Sequence, residues 1–185
     1  MDARWLAERF EADRNRLLAV AYRLLGSSAE AEDAVQETWL RLSRTDTTDV
    51  VNLSGWLTTV VSRVCLDVLR SRRSRREEPI GEDADFAGYA VDSEHEAMLA
   101  ESVGAAMQAV LQRLAPAERV AFVLHDVFGV TFEEIAGIVG RSPVAARQLA
   151  SRGRRRVQGA SEDDRAADLD RQREVVEAFF GVRAP

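Results

Sequence analysis

The 185-residue chain has no lysine; all 25 of its basic residues are arginine. Its cationic surfaces are therefore built only from planar guanidinium forks, which fit phosphates and guanine edges better than ammonium groups do. Cysteine is almost absent as well. The single Cys65 excludes an internal disulfide and suits a reducing cytoplasm, the location expected for a chain without a signal peptide. One cysteine and two distant histidines, His95 and His125, make no metal set. No nucleophile–base pair, glycine-rich phosphate loop or zinc spacing is present, so neither a cofactor nor enzymatic activity is expected. No apolar run reaches membrane-spanning length, which argues against a membrane partner. Ala, Leu, Arg and Glu are plentiful, and with 46% apolar and 30% charged residues they favour a soluble helical protein. A net charge of −6 argues against indiscriminate polyanion binding, so each basic patch has to be judged singly.

Hydrophobic periodicity predicts an all-α chain of two small helical domains, 1–76 and 97–158, joined by an acidic flexible linker over 77–96 and followed by a tail over 159–185. In the first domain one helix ends at Gly26. A second opens on the Ser27/Glu30 capping signature and runs to about Ser43. A third is capped by Ser54 and runs from Gly55 to about Arg73. The linker carries eight acids and no arginine. Four helices follow at roughly 94–114, 116–128, 132–139 and 143–158, with Pro116 near a helix start, a Thr131/Glu134 capping box, and Ser142–Pro143 as N-cap and first residue. In the tail, Leu169, Val175, Val176, Phe179 and Phe180 predict a short amphipathic helix that packs on the body.

Three surface features carry chemistry. Between Arg141 and Arg156 lie six arginines and no acid, at the end of a helix-turn-helix pattern. Ala146, Ala150, Gly153 and Val157 form a seam of mostly small residues, leaving Arg147, Gln148, Ser151, Arg152, Arg154 and Arg155 on the other face. The first turn, from Ser142, would lie nearest base edges and the later arginines nearest phosphates, as in a helix docked in the major groove. A second patch, Arg70, Arg72, Arg73, Arg75 and Arg76 with Arg63 earlier, ends the third helix; nucleic acid and simple dipole compensation both account for it. On the second helix Asp33, Gln36, Glu37 and Leu40 share a face, either an ordinary solvated surface or a site for a protein partner with basic groups and an apolar spot. His125, inside FVLHDVF, is expected to be partly buried and satisfied.

This ordered series resembles a bacterial extracytoplasmic-function (ECF, group IV) sigma factor over about residues 1–158. AEAEDAVQETWLRL (29–42) resembles the family's polymerase-binding helix, GWLTTVVSRVCLDVLRSRRSR (55–75) its promoter −10 segment, and LAPAERVAFVLHDVFGVTFEEIAGIVGRSPVAARQLASRGRRRV (114–157) its −35-binding domain. The resemblance implies a non-enzymatic subunit that directs RNA polymerase to specific promoters. Its partners would be core polymerase, promoter DNA, and an anti-sigma factor or the chain's own C-terminal extension. It places polymerase contact on Asp33, Gln36, Glu37 and Leu40. The −10 contacts fall on Arg63, Asp67, Arg70, Arg72 and Arg73 with the 45–53 loop. The −35 contacts fall on Arg141, Ser142, Pro143, Arg147, Gln148, Ser151, Arg152, Arg154 and Arg155. LHDVFG, IVGRS and RQLASR further resemble the subgroup with a SnoaL-like extension, of which RQREVVEAFFGVRAP resembles only the first helix. The subgroup's Trp-Leu-Pro-Glu-Pro linker is absent, and Arg63 stands where many members have Asn. The alternative function is a stand-alone helix-turn-helix repressor acting as a dimer; a ligand-binding module built on the tail is a third.

Overall fold

A computed structural model describes residues 3–47, 50–77, 104 and 107–159. The acidic run from 78, the predicted helix start near 94 and the tail helix at 169–180 lie outside these residues. Within them the chain is all-α, with no strand. Three long helices form the first unit: α1 (Ala3–Leu25), α2 (Ser28–Arg44) and α3 (Leu53–Glu77). The second contains α4 (107–112), α5 (Pro116–Phe122) continuing directly into a π-helical turn (Val123–Val127), α6 (Phe132–Val139) and α7 (143–159).

The first unit closes on the apolar stripes of its three helices. Leu17, Leu24, Leu25, Leu42, Leu57 and Leu66 are fully buried. Burying one leucine contributes about 1.5–3 kcal/mol before ordering costs. Thr38, in the same stripe of α2, buries its hydroxyl by donating to the Ala34 carbonyl at 2.8 Å. In the second unit Val120, Leu124, Ile135, Ala146 and Ala150 are fully buried. The two apolar centres are continuous, because α3 packs against α5 and α6 and α1 reaches the π turn.

Two helix starts are capped differently from the sequence expectation, for one reason: side chains with a long-range partner leave the local cap. Ser27 accepts from the Glu30 amide as expected, but the Glu30 carboxylate turns away to Arg72 of α3 instead of completing the box. Ser54 is not the cap of α3. Its hydroxyl donates to Asp13 Oδ2 at 2.6 Å, and Asn52 accepts from the Gly55 amide, so the helix begins two residues earlier than predicted. The box at Thr131/Glu134 and the Ser142 cap form as expected.

The last turn of α1 is where the units meet. A helix leaves its final carbonyls without intrahelical partners. Here the Tyr22 carbonyl accepts from the Gly26 amide, Arg23 from Gln108, Leu24 from Arg119 and Leu25 from Arg72. Arg119 is buried, so its guanidinium brings to the helix terminus the positive charge that the dipole favours. Gly26 permits this closure: its φ is +77°, and a β-carbon there would sit 2.6 Å from Gln108 Nε2. Gly26→Ala is expected to cost about 1–2 kcal/mol for the left-handed backbone, with the crowding of Gln108 added. Urea unfolding of the single variant and of the same change in a Gln108→Ala background checks this. The second should recover the crowding and leave the backbone cost.

Candidate nucleic-acid and protein interfaces

The helix-turn-helix is built by three devices in sequence. The Thr131/Glu134 box starts α6, Gly140 ends it in the left-handed region at φ +68°, and the Ser142 hydroxyl accepts from the Ala145 amide to start α7, with Pro143 as its first residue. Ala146 and Ala150 of α7 are fully buried, and Gly153 brings the helix against α5. A β-carbon at Gly153 would meet Phe122 Cβ at 2.9 Å and the Glu118 carbonyl at 3.2 Å, so the close approach depends on the missing side chain. This is the small-residue seam visible in the sequence.

The outward face of α7 divides into two parts. Arg141, Ser142, Pro143, Arg147 and Gln148 are exposed around its first turns, and Ser151 is half-buried. Val144, 66% exposed, sits among them; nothing in the sequence marks it as a surface residue, because an isolated apolar side chain on a helix reads as core. Farther along, the arginines are tied to α5 and the π turn. Glu118, only 6% exposed, accepts from Arg152 Nε at 3.1 Å and from Arg156 Nη1 at 2.5 Å, and Asp126 accepts from Arg154 Nε at 2.9 Å. Arg155 is exposed and has no carboxylate partner among the described residues. The predicted arginine face is thus present, but most of its later members are spent on holding α7 in place.

Arg147 is held differently. Its guanidinium lies over the Phe132 ring, with Cζ 5.3 Å from the centroid. Phe132 is half-buried and stacks on His125, with centroids 4.0 Å apart. His125 Nδ1 is 3.1 Å from the Val130 carbonyl. A carbonyl only accepts, so Nδ1 carries the proton. The π turn that carries His125 leaves no signal in the sequence beyond an apolar helical run.

On α3, Arg63, Asp67 and Arg70 are exposed and follow one stripe at i, i+4 and i+7. Arg63 Nη2 donates to the Gly137 carbonyl of α6 at 2.9 Å, so this stripe faces the helix-turn-helix. Arg72 points inward to Leu25 and Glu30, and its place in the patch is accounted for by helix-end capping; Arg73 stays exposed. The loop after α2 carries the fully exposed Val51. Cys65 sits inside this helix, and burial pushes its thiol up to about 12, which keeps it an inert core residue.

On α2, Asp33, Gln36 and Leu40 are exposed and Glu37 is half-buried, accepting from Arg41 at 2.8 Å. Beside them α1 and α2 enclose a groove of about 280 Å³. Phe10, Val35 and Trp39 form its floor and Glu11, Arg14 and Gln36 stand on its rim. Gln36 therefore belongs both to the predicted face and to a groove with an apolar floor and a charged rim, the mixture a protein-binding patch requires. Among the described residues no group of three or more metal-ligating side chains occurs, and no helix is long and apolar enough to cross a membrane.

Removing the carboxylate that holds two arginines tests the inner half of α7. Glu118→Gln should lower stability by about 1–3 kcal/mol, the worth of hydrogen bonds to charged groups. Chemical denaturation of variant and parent, read by circular dichroism, checks it.

Comparison with known proteins matches both units. Residues 9–75 fit the model of Sigma-70 region 2, and residues 104–157 that of Sigma-70, region 4. ECF RNA polymerase sigma factor SigJ of Mycobacterium tuberculosis is 49% identical over 156 residues, covering 80% of this chain and 48% of SigJ. RNA polymerase sigma factor CarQ of Myxococcus xanthus is 34% identical over 133 residues, covering 71% of this chain and 74% of CarQ. The crystal structure of M. tuberculosis SigJ superposes with a TM-score of 0.57 at 43% identity, over 82% of this chain and 52% of that one. The chain spans about half the length of SigJ. With both sigma regions matched in order and built as two packed helical units, the chain belongs to the ECF family of RNA polymerase sigma factors.

Proposed function

We propose that this chain is a promoter-specificity subunit: it binds core RNA polymerase, directs it to particular promoters in the cytoplasm, and catalyses nothing itself. The observation that carries this reading is the first part of α7, where Arg147 and Gln148 stand exposed on a helix firmly seated by Gly153 and Glu118. A side chain near the start of a groove-docked helix reaches base edges, and arginine and glutamine pair bidentately with guanine and adenine. Arg141, Ser142, Pro143 and Ser151 flank this reading edge. Arg155, followed by Arg152 and Arg154 once these leave their carboxylates, meets phosphates.

The remaining contacts fall on the first unit. Asp33, Gln36, Glu37 and Leu40 with the adjoining groove supply the polymerase surface. The stripe of Arg63, Asp67 and Arg70, with Arg73 and the 45–53 loop, supplies the −10 surface. Since Arg63 is bonded to Gly137, engaging both promoter elements exchanges that contact for DNA. An anti-sigma factor or a C-terminal extension would regulate the chain by favouring one of these arrangements.

Transcription in vitro with core polymerase on a promoter library tests the proposal. Specific initiation dependent on this chain is the expected result. Tight duplex binding without polymerase, and no initiation with it, would identify a stand-alone repressor. Asp33→Arg with Glu37→Arg should weaken core binding by about tenfold or more, since like charges facing each other cost several kcal/mol. Pull-down and far-UV circular dichroism check that affinity falls while helix content does not. Arg155→Ala should weaken binding to all promoters alike and reduce the slope of log K against log salt by about one.

A further inference from the structure

We infer that Phe132 is a positioning residue for promoter reading: its ring holds the Arg147 guanidinium in place while leaving its N–H donors open for a guanine edge. This rests on the −35 reading above and deepens it. Along α7 the structure uses two ways of restraining an arginine. Arg152, Arg154 and Arg156 donate to Glu118 or Asp126, which turns each guanidinium toward a carboxylate and commits part of its donor set. Arg147 rests on an aromatic face, 5.3 Å from the ring centroid. Attraction to a π face uses the cation's charge and not its hydrogen-bond directions. The edge that pairs with guanine O6 and N7 therefore stays available.

The ring is itself fixed from two sides. Phe132 is the first residue of α6, and the reciprocal Thr131/Glu134 box locks the backbone on which it sits. Its ring stacks on His125, whose Nδ1–H donates to the Val130 carbonyl. Phe132 is half-buried against the core, and its ring meets both an imidazole and a guanidinium. An arginine loses much rotamer freedom when it docks on a single base. A site that restrains it beforehand moves part of that loss from binding to folding, and so sharpens discrimination between the right and the wrong base.

The test uses the full chain bound to core polymerase on a promoter duplex in which each −35 guanine is replaced in turn by 7-deazaguanine, which lacks only the N7 acceptor. The parent should lose affinity at one guanine, and Arg147→Ala should abolish that dependence. Phe132→Leu should reduce the discrimination about two- to fivefold, the range expected for one cation–π contact, and Phe132→Tyr should retain it. Fluorinated phenylalanines at 132 guard against a folding defect: they keep the ring's bulk while draining its π face. Discrimination should fall stepwise with fluorine number while the thermal midpoint and affinity for non-promoter DNA stay constant. Unchanged discrimination across the fluorine series, or higher promoter affinity in Phe132→Leu, would overturn the inference. So would 7-deaza sensitivity that survives Arg147→Ala. In each of these cases a holoenzyme that still initiates at the promoter leaves the proposed function standing, whereas failure to initiate at all would count against that function.

Discussion

The C-terminal turn of α1 is the constraint on which the arrangement depends. A helix buried at its end must find donors for carbonyls that no further turn can supply, and an unpaired buried carbonyl costs about as much as a lost hydrogen bond. This chain meets the need with groups from widely separated segments: Gly26 next door, Arg72 at the far end of α3, and Gln108 and Arg119 from the second unit. The two sigma units are therefore not simply tethered. They are joined through an apolar centre and a cluster of directional bonds, two of which fix where the second unit sits on the first.

From that junction the two halves of α7 follow. Arg119 is held under α1, so the neighbouring Glu118 stands on the side of α5 that α7 covers, where it ties Arg152 and Arg156. The absence of a side chain at Gly153 brings the two helices close enough for those pairs to form. Where the seam ends toward the start of α7, Arg147 takes a ring in place of a carboxylate. A uniform run of arginines in the sequence thus becomes two structural populations, separated by which residue of α5, the π turn or α6 lies beneath each.

Much of this is legible in the amino-acid sequence, and the parts that are not share a cause. Local signals, namely the Thr131/Glu134 box, Gly140 and Ser142–Pro143, act within four residues of one another, and the two helices they announce form within a residue or two of the expected places. Ser27/Glu30 and Ser54 look equally local, but each has a stronger partner some forty positions away, Arg72 for Glu30 and Asp13 for Ser54. The same blindness to distance hides Arg72's capping role, the bond from Arg63 to Gly137, and the carboxylates that engage Arg152 and Arg154. The π turn around His125 escapes because an extra residue in one turn hardly disturbs an apolar pattern. Residue types announce which chemistry is available; their pairings are a property of the packed chain.

The closing of α1 also has an order in time. Its caps come from residues 47, 85 and 95 positions downstream of the carbonyls they satisfy. A ribosome adding about 5–20 residues per second delivers Arg72 several seconds before Arg119. The first unit therefore emerges with α1 only partly closed, its Arg23 and Leu24 carbonyls still bonded to water. The finishing bonds arrive only with α4 and α5, so α1 is completed after helices made well after it.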